Sequence, residues 1–259
     1  MINNGYFECS YPVGTFNCNA NFKLKISSLV EFLQDIAYWH SVEVGCDYES
    51  MLKMGYAWIL YKWKIRVYNF PSAGDTIKIV TWSSGLERKQ AVRSFRIMNG
   101  SGELIGEALS VWVVLDVNTR TAISVPDEIK NKYTDIPDCL LKNELISNPL
   151  RLARNEISSD THIVKPHDID YNNHMNNAKY IEILTDVLPS DIFPSDSSYS
   201  YYDLEVIYRK ESVLGSELKC ICYDTDSTDN GKVFVSLIKQ ADVENDKQAN
   251  VYFKLSLSS

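Results

Sequence analysis

Between residues 170 and 174 the chain sets a carboxylate, a carboxamide and an imidazole at alternate positions: Asp170, Asn172 and His174. An imidazole exchanges a proton near neutral pH. Together the three groups suit a reaction that moves a proton and develops negative charge on a carbonyl oxygen. The residues that follow support this reading. Tyr180, Ile181, Leu184, Val187 and Leu188 recur at helical spacing, and the Asn-rich run before them has the composition of a turn and N-cap. His174 is therefore expected beside the positive end of a helix, where backbone N–H groups are free to donate.

Spacing alone would equally describe a capped helix with an incidental histidine. The wider string separates the two. Residues 168–180, DIDYNNHMNNAKY, resemble the D-x-N-x-H-x-N-N-x-K-Y signature of the acyl-acyl carrier protein (acyl-ACP) thioesterases at Asp170, Asn172, His174, Asn176, Asn177, Lys179 and Tyr180. Downstream, Tyr208-Arg209-Lys210-Glu211 resembles the family's second run, Y-R-R/K-E. The resemblance, to a bacterial-type member, implies hydrolysis of the fatty acyl-ACP thioester with release of free fatty acid. It implies a catalytic set of Asp170, Asn172, His174 and Glu211. Glu211 or His174 would activate water, Asn172 orient the water or the carbonyl, and Asp170 fix the imidazole tautomer or the loop. The substrate it implies is an acyl chain on the 4'-phosphopantetheine arm of an acyl carrier protein, with no cofactor. Ser212 stands where some plant members carry Cys, so direct attack by water is expected rather than a cysteinyl intermediate. The rival readings are an acyl-CoA thioesterase, a hotdog dehydratase, and a non-catalytic acyl-chain or acyl-carrier binding protein. The Asn-rich signature with Glu211 favours hydrolysis over dehydration, and a binder has no need of all four residues.

The elements that must position these residues follow one plan, written twice. In the first half, Ile26, Leu29, Val30, Leu33, Ile36 and Ala37 form a helical face. Ser28 and Glu31 are spaced as a capping box, which predicts a helix over 28–44 with Gly45 as its stop. Tyr61, Trp63, Ile65 and Val67 alternate with Lys62, Lys64, Arg66 and Tyr68, as in a half-buried strand. A strand at 76–82 and a hairpin of 91–98 with 104–115 across Asn99-Gly100-Ser101-Gly102 follow. The second half repeats the order: a helix at 176–188, then strands at 204–208, 218–223, 233–239 and 249–257, with turns at Asp229-Asn230-Gly231 and 242–247. The expected fold is α+β, each half a long helix packed on a curved antiparallel sheet, which agrees with the tandem hotdog repeat that the resemblance implies. The expected domains are 1–125, a polar linker over 126–160 with a short helix near Leu140–Leu145, and 161–259 carrying the signature. The first helix is preceded by Lys25-Ile26-Ser27-Ser28 instead of a signature, so one site per chain is expected.

Composition narrows the class further. At 259 residues, 45% hydrophobic and 23% charged, the chain is an ordinary globular protein with ample core. No apolar run reaches membrane-spanning length. The first residues lack the features of a signal peptide, so a cytoplasmic protein is expected, bacterial or already freed of a plastid leader. The six cysteines show no C-x-x-C pair and no histidine at zinc spacing, which argues against a structural metal and against disulfides. Cys220 and Cys222 share one face of a strand and read as small buried hydrophobes. The net charge of −8 argues against nucleic acid. Because acyl carrier proteins are themselves acidic, docking calls for a local basic patch, with candidates Lys62, Lys64, Arg66, Arg88, Lys89, Arg93 and Arg96. The aromatic residues Tyr38, Trp39, Trp58, Tyr61, Trp63 and Trp82 are candidates to line an acyl tunnel. A monomer or a homodimer is expected.

Overall fold

The computed structural model describes residues 2–87, 89–141, 149–190, 192, 199–225 and 231–258. The chain divides into two compact units, Met1–Leu24 with Leu29–Glu144, and Lys25–Ser28 with Leu145–Ser259.

In the first unit the strands β1 (Ile2–Asn3) and β2 (Tyr6–Pro12) precede helix α1 (Ile26–Glu43), which belongs to that unit from Leu29 onward. Helix α1 starts two residues before the capping-box reading allows. Ile26 already belongs to the buried stripe, and Ser28 is a buried first-turn residue instead of the cap. Leu29, Val30, Leu33, Ile36 and Ala37 bury the inner face of the helix, as their spacing predicts. Gly45 ends it in the left-handed region, at φ 67°, with its N–H donating to the Val42 carbonyl. A short helix α2 (Tyr48–Lys53), capped by Asp47, leads into β3 (Tyr56–Val67), β4 (Thr76–Glu87), β5 (Gln90–Met98), β6 (Leu104–Asp116) and β7 (Thr121–Ile123). Pairing is antiparallel in the order β1-β2-β4-β5-β6-β3, with β7 on β6.

The stretch expected as linker is partly structured. Helix α3 (Asp127–Lys130) places Ile129, with Tyr133 just after it, against Cys46, Met51, Ala91, Val114 and Val125. Two apolar anchors in a polar run suffice to dock it, and the run reads as linker only because they are so sparse. Leu140 and Leu141 lie in a turn, and the rest of the short helix expected near Leu140–Leu145 falls outside the described residues, as do Asp229 and Asn230.

The first strand of the second unit, β8 (Glu156–Ile163), starts within the expected linker and crosses its end at residue 160. Most of its residues are exposed, so it carries no hydrophobic alternation by which to be recognised. It precedes α4 (Asn177–Asp186), β9 (Tyr201–Tyr208), β10 (Glu217–Asp224), β11 (Gly231–Gln240) and β12 (Val251–Ser258). The sheet runs β9-β12-β11-β10-β8, antiparallel throughout. Helix α4 buries Ala178, Tyr180, Ile181 and Leu184 and lies over β10 and β11. Cys220 and Cys222 are buried in β10, and all six cysteines are free thiols.

Two surface expectations are corrected. Lys64 is 2% exposed and Arg93 7%, so neither belongs to a surface patch. Trp63, Lys64 and Ile65 are buried in succession, which means both faces of β3 are covered there and alternation does not send Lys64 to solvent. Arg93 points under α1, where its Nη1 lies 2.7 Å from His40 Nδ1. Arg88 lies outside the described residues, Arg96 pairs with Asp138 at 2.8 Å, and Lys89 is exposed. Among the aromatic candidates Trp63 and Trp82 are fully buried, whereas Tyr38 and Trp39 stand exposed on the outer side of α1.

Candidate active site

The signature folds into a short closed loop in front of α4. Ile169 and Met175 form an antiparallel bridge, and the Asp170 N–H donates to the His174 carbonyl at 2.9 Å. Inside the loop the Asp170 carboxylate accepts the Asn172 N–H at 2.8 Å, and the Asp170 carbonyl accepts the Asn173 N–H at 3.0 Å. This is an Asx turn, and it leaves Asn173 at φ 61°, a conformation asparagine tolerates. Asn176 is the N-cap of α4, its Oδ1 accepting the Ala178 N–H at 2.8 Å. Its carbonyl accepts the Lys179 N–H at 3.0 Å. Two first-turn donors expected to be free are thus taken by Asn176, and His174 sits two residues outside the cap.

Glu211 reaches this loop from the connection between β9 and β10. Its Oε1 lies 3.3 Å from His174 Nε2, with the two side chains 53% and 33% exposed. The contact is open to solvent. The neighbouring Arg209 guanidinium donates to the Lys247 carbonyl at 3.1 Å and sits over the Tyr252 ring.

The other predicted residues hold different places. The Asp170 carboxylate makes no contact with the imidazole; it braces the loop. The exposed Asn172 side chain has no hydrogen-bond partner among the described residues. Ser212 is 1% exposed and its Oγ accepts a hydrogen bond from Asn250 at 3.1 Å, which removes it from an attacking position. Its carbonyl accepts the Met175 N–H at 2.8 Å, tying the Glu211 loop to the His174 loop.

Two contributors escaped the sequence reading. Asn250, 2% exposed at the mouth of β12, also donates to the Glu211 carbonyl at 3.4 Å. Its own carbonyl accepts the Arg209 and Lys210 N–H groups at 2.8 and 3.2 Å. A lone Asn after a polar turn carries no signal for such a role. Tyr180, matched in the signature, buries its hydroxyl against Ser212 without a well-formed hydrogen bond. Burial pushes that hydroxyl up to about 12, Ser212 pulls it back, and the Glu211 and Asp170 charges add to the rise, so it stays protonated. Among the described residues no group of His, Cys, Asp and Glu is placed to hold a metal ion.

Two helix-on-sheet units with an imidazole–carboxylate pair in front of the second helix define the class, a tandem hotdog protein. Family models described as the acyl-ACP thioesterase N-terminal domain and the acyl-ACP thioesterase C-terminal domain match residues 4–133 and 153–255. The chain belongs to the acyl-ACP thioesterase family. It is 26% identical over 227 residues to the chloroplastic acyl-carrier-protein hydrolase FATB3 of Cuphea viscosissima, covering 83% of this chain and 54% of the relative. It is 25% identical over 243 residues to the chloroplastic palmitoyl-acyl carrier protein thioesterase of Gossypium hirsutum, covering 88% and 57%. The chain thus spans about half the length of these curated relatives. Its fold matches an acyl-ACP thioesterase from Bacteroides thetaiotaomicron, with TM-score 0.81 and 23% identity over 98% of both chains. The 12:0-ACP thioesterase from Umbellularia californica matches with TM-score 0.82 and 19% identity over 97% and 93%.

Proposed function

We propose that this protein hydrolyses the thioester of fatty acyl-ACP, releasing free fatty acid and ending chain elongation. The observation that carries the reading is the approach of His174 Nε2 to Glu211 Oε1, at 3.3 Å, in front of the N-terminus of α4. The two residues come from separate family motifs, and a pair with no shared task has no reason to converge.

In the proposed reaction a water held by Glu211 and His174 attacks the thioester carbon as the pair removes its proton. The carbonyl oxygen takes up negative charge, and the C–S bond then breaks. The proton passes to the departing thiolate of the carrier's arm, leaving fatty acid and free thiol. His174 and Glu211 are exposed enough to meet both water and substrate. Asn172, whose amide faces solvent, is the group free to orient the water or the carbonyl. Asp170 acts through the loop it braces. The burial of Ser212 supports direct attack by water over an acyl-enzyme at that residue.

In this reading the catalytic domain is the C-terminal one, which takes in the whole of β8, joined to an N-terminal domain that extends through α3. The partner is an acyl carrier protein, and the enzyme works in the cytoplasm as a monomer or homodimer. Six free thiols suit a reducing compartment, and no helix among the described residues is long and apolar enough to cross a membrane.

Release of free thiol from matched acyl-ACP and acyl-CoA tests the proposal. Wild type is expected to turn over acyl-ACP faster, and His174→Ala and Glu211→Ala each to lower that rate by about 10²–10⁴-fold. Equal or faster turnover of acyl-CoA would reassign the carrier. Binding of acyl-ACP without turnover would make the protein a binder.

A further inference from the structure

Asp168 lies two residues before the catalytic loop and is 3% exposed, a place where carboxylates are rarely found without partners. Its Oδ2 accepts the Lys165 N–H at 2.9 Å and meets His162 Nε2 at 2.8 Å, while His167 Nε2 lies 3.5 Å from Oδ1. Burial alone would raise the Asp168 carboxyl, but the Lys165 N–H and the two imidazoles together hold it below its usual range. His162 stands on β8, so this contact crosses from the edge strand to the segment before α4. The Asp168 carbonyl, in turn, accepts the N–H of Asn176, the N-cap of α4, at 2.8 Å. Residues 168–176 therefore form a closed loop. His174 lies at its neck, and Asp168 at its base is moored by its side chain to the sheet.

We propose that His162 and Asp168 are positioning residues, a second imidazole–carboxylate pair that ties the base of the His174 loop to β8 and so sets the His174–Glu211 separation. The inference rests on the proposed hydrolysis for its effect on rate, but the separation itself can be read without turnover. A small displacement of an acid–base group costs far more in rate than in substrate binding, because the proton-transfer geometry exists only in the transition state. Asp168 is buried and its polar contacts are to His162, Lys165, His167 and Asn176, so its influence is proposed to pass through the loop.

The test uses the full chain with His162→Ala, His162→Leu and His162→Gln, each with and without Glu211→Gln. His162→Ala and His162→Leu are expected to lower kcat for acyl-ACP on the order of 10- to 100-fold with KM within about twofold. Glutamine can still donate an N–H to Asp168, so His162→Gln is expected to recover most of the rate. By NMR, Glu211→Gln changes the His174 ring resonances in wild type and in His162→Gln, and that change is expected to vanish in the Ala and Leu variants. Wild-type kcat in the Ala or Leu variant would overturn the inference. So would equal losses in all three variants with the Glu211 effect on the ring intact. Should wild type show no turnover, the hydrolase reading falls and the ring resonances alone decide whether the pair positions His174.

Discussion

Asp170 is the residue whose proposed role the geometry redefines. The resemblance left it either as the orienter of the imidazole or as a brace for the loop, and its carboxylate accepts the Asn172 N–H. An amide oxygen can accept that same N–H. Asp170→Asn is therefore expected to keep kcat within about tenfold of wild type, and Asp170→Ala to lose about 100-fold as the Asx turn opens. A loss in Asp170→Asn as large as in Asp170→Ala would return the carboxylate charge to the centre of the chemistry. Steady-state kinetics on acyl-ACP distinguishes the two. Asn172 enters the candidate set through the motif, and its side chain is exposed with no hydrogen-bond partner among the described residues.

Between elements, the contact of α1 with β5 carries an unusual charge arrangement. Arg93 is buried under the helix beside His40, over the Tyr133 ring, with the Tyr133 hydroxyl meeting Ser41 Oγ at 3.1 Å. Burial first, and then the Arg93 charge, hold the His40 imidazole down to about 3, against 6.5 in the unfolded chain. The folded protein binds that proton more weakly than the unfolded chain does. The stabilisation is thus fully present above about pH 6.5 and is lost as pH falls from there toward 3. Between pH 7.5 and 5 it amounts to about 2 kcal/mol. Urea unfolding of wild type and His40→Gln at the two pH values checks this. The wild type is expected to lose about 2 kcal/mol more than the variant over that range, and parallel losses would remove His40 from the account.

For the whole molecule the governing quantity is charge. If a net −8 chain is to take an acidic carrier it needs local cations, and the structure removes Lys64 and Arg93 from the candidate patch. Of the other candidates, Arg88 lies outside the described residues, Lys62 sits over the Tyr61 ring, Arg96 pairs with Asp138, and Arg66 and Lys89 complete the set. If carrier recognition uses them, raising ionic strength from about 0.05 to 0.5 M shortens the Debye length severalfold and weakens docking. KM for acyl-ACP is expected to rise several-fold over that range, while KM for an acyl-pantetheine lacking the protein stays nearly constant. Equal salt dependence of the two would place recognition in the arm alone.

Local features were readable because they depend on neighbours in the chain. The stripe of α1, the stop at Gly45, the hairpin of β5 and β6, and the Asn cap of α4 each follow from periodicity or turn chemistry within a few residues. The polar edge strand β8 was missed because exposure erases the alternation that marks a strand. The sequence by itself determined which four residues form the candidate set and that the fold is one plan repeated, since both are written in short-range patterns and separated motifs. Only the tertiary structure decided that Glu211 comes up to His174, that Asp170 braces a turn, that Asn250 and Asp168 hold the two loops, and that Lys64 and Arg93 are interior. Those outcomes depend on which strands cover which faces, and a side chain's environment is set by residues far from it in the chain.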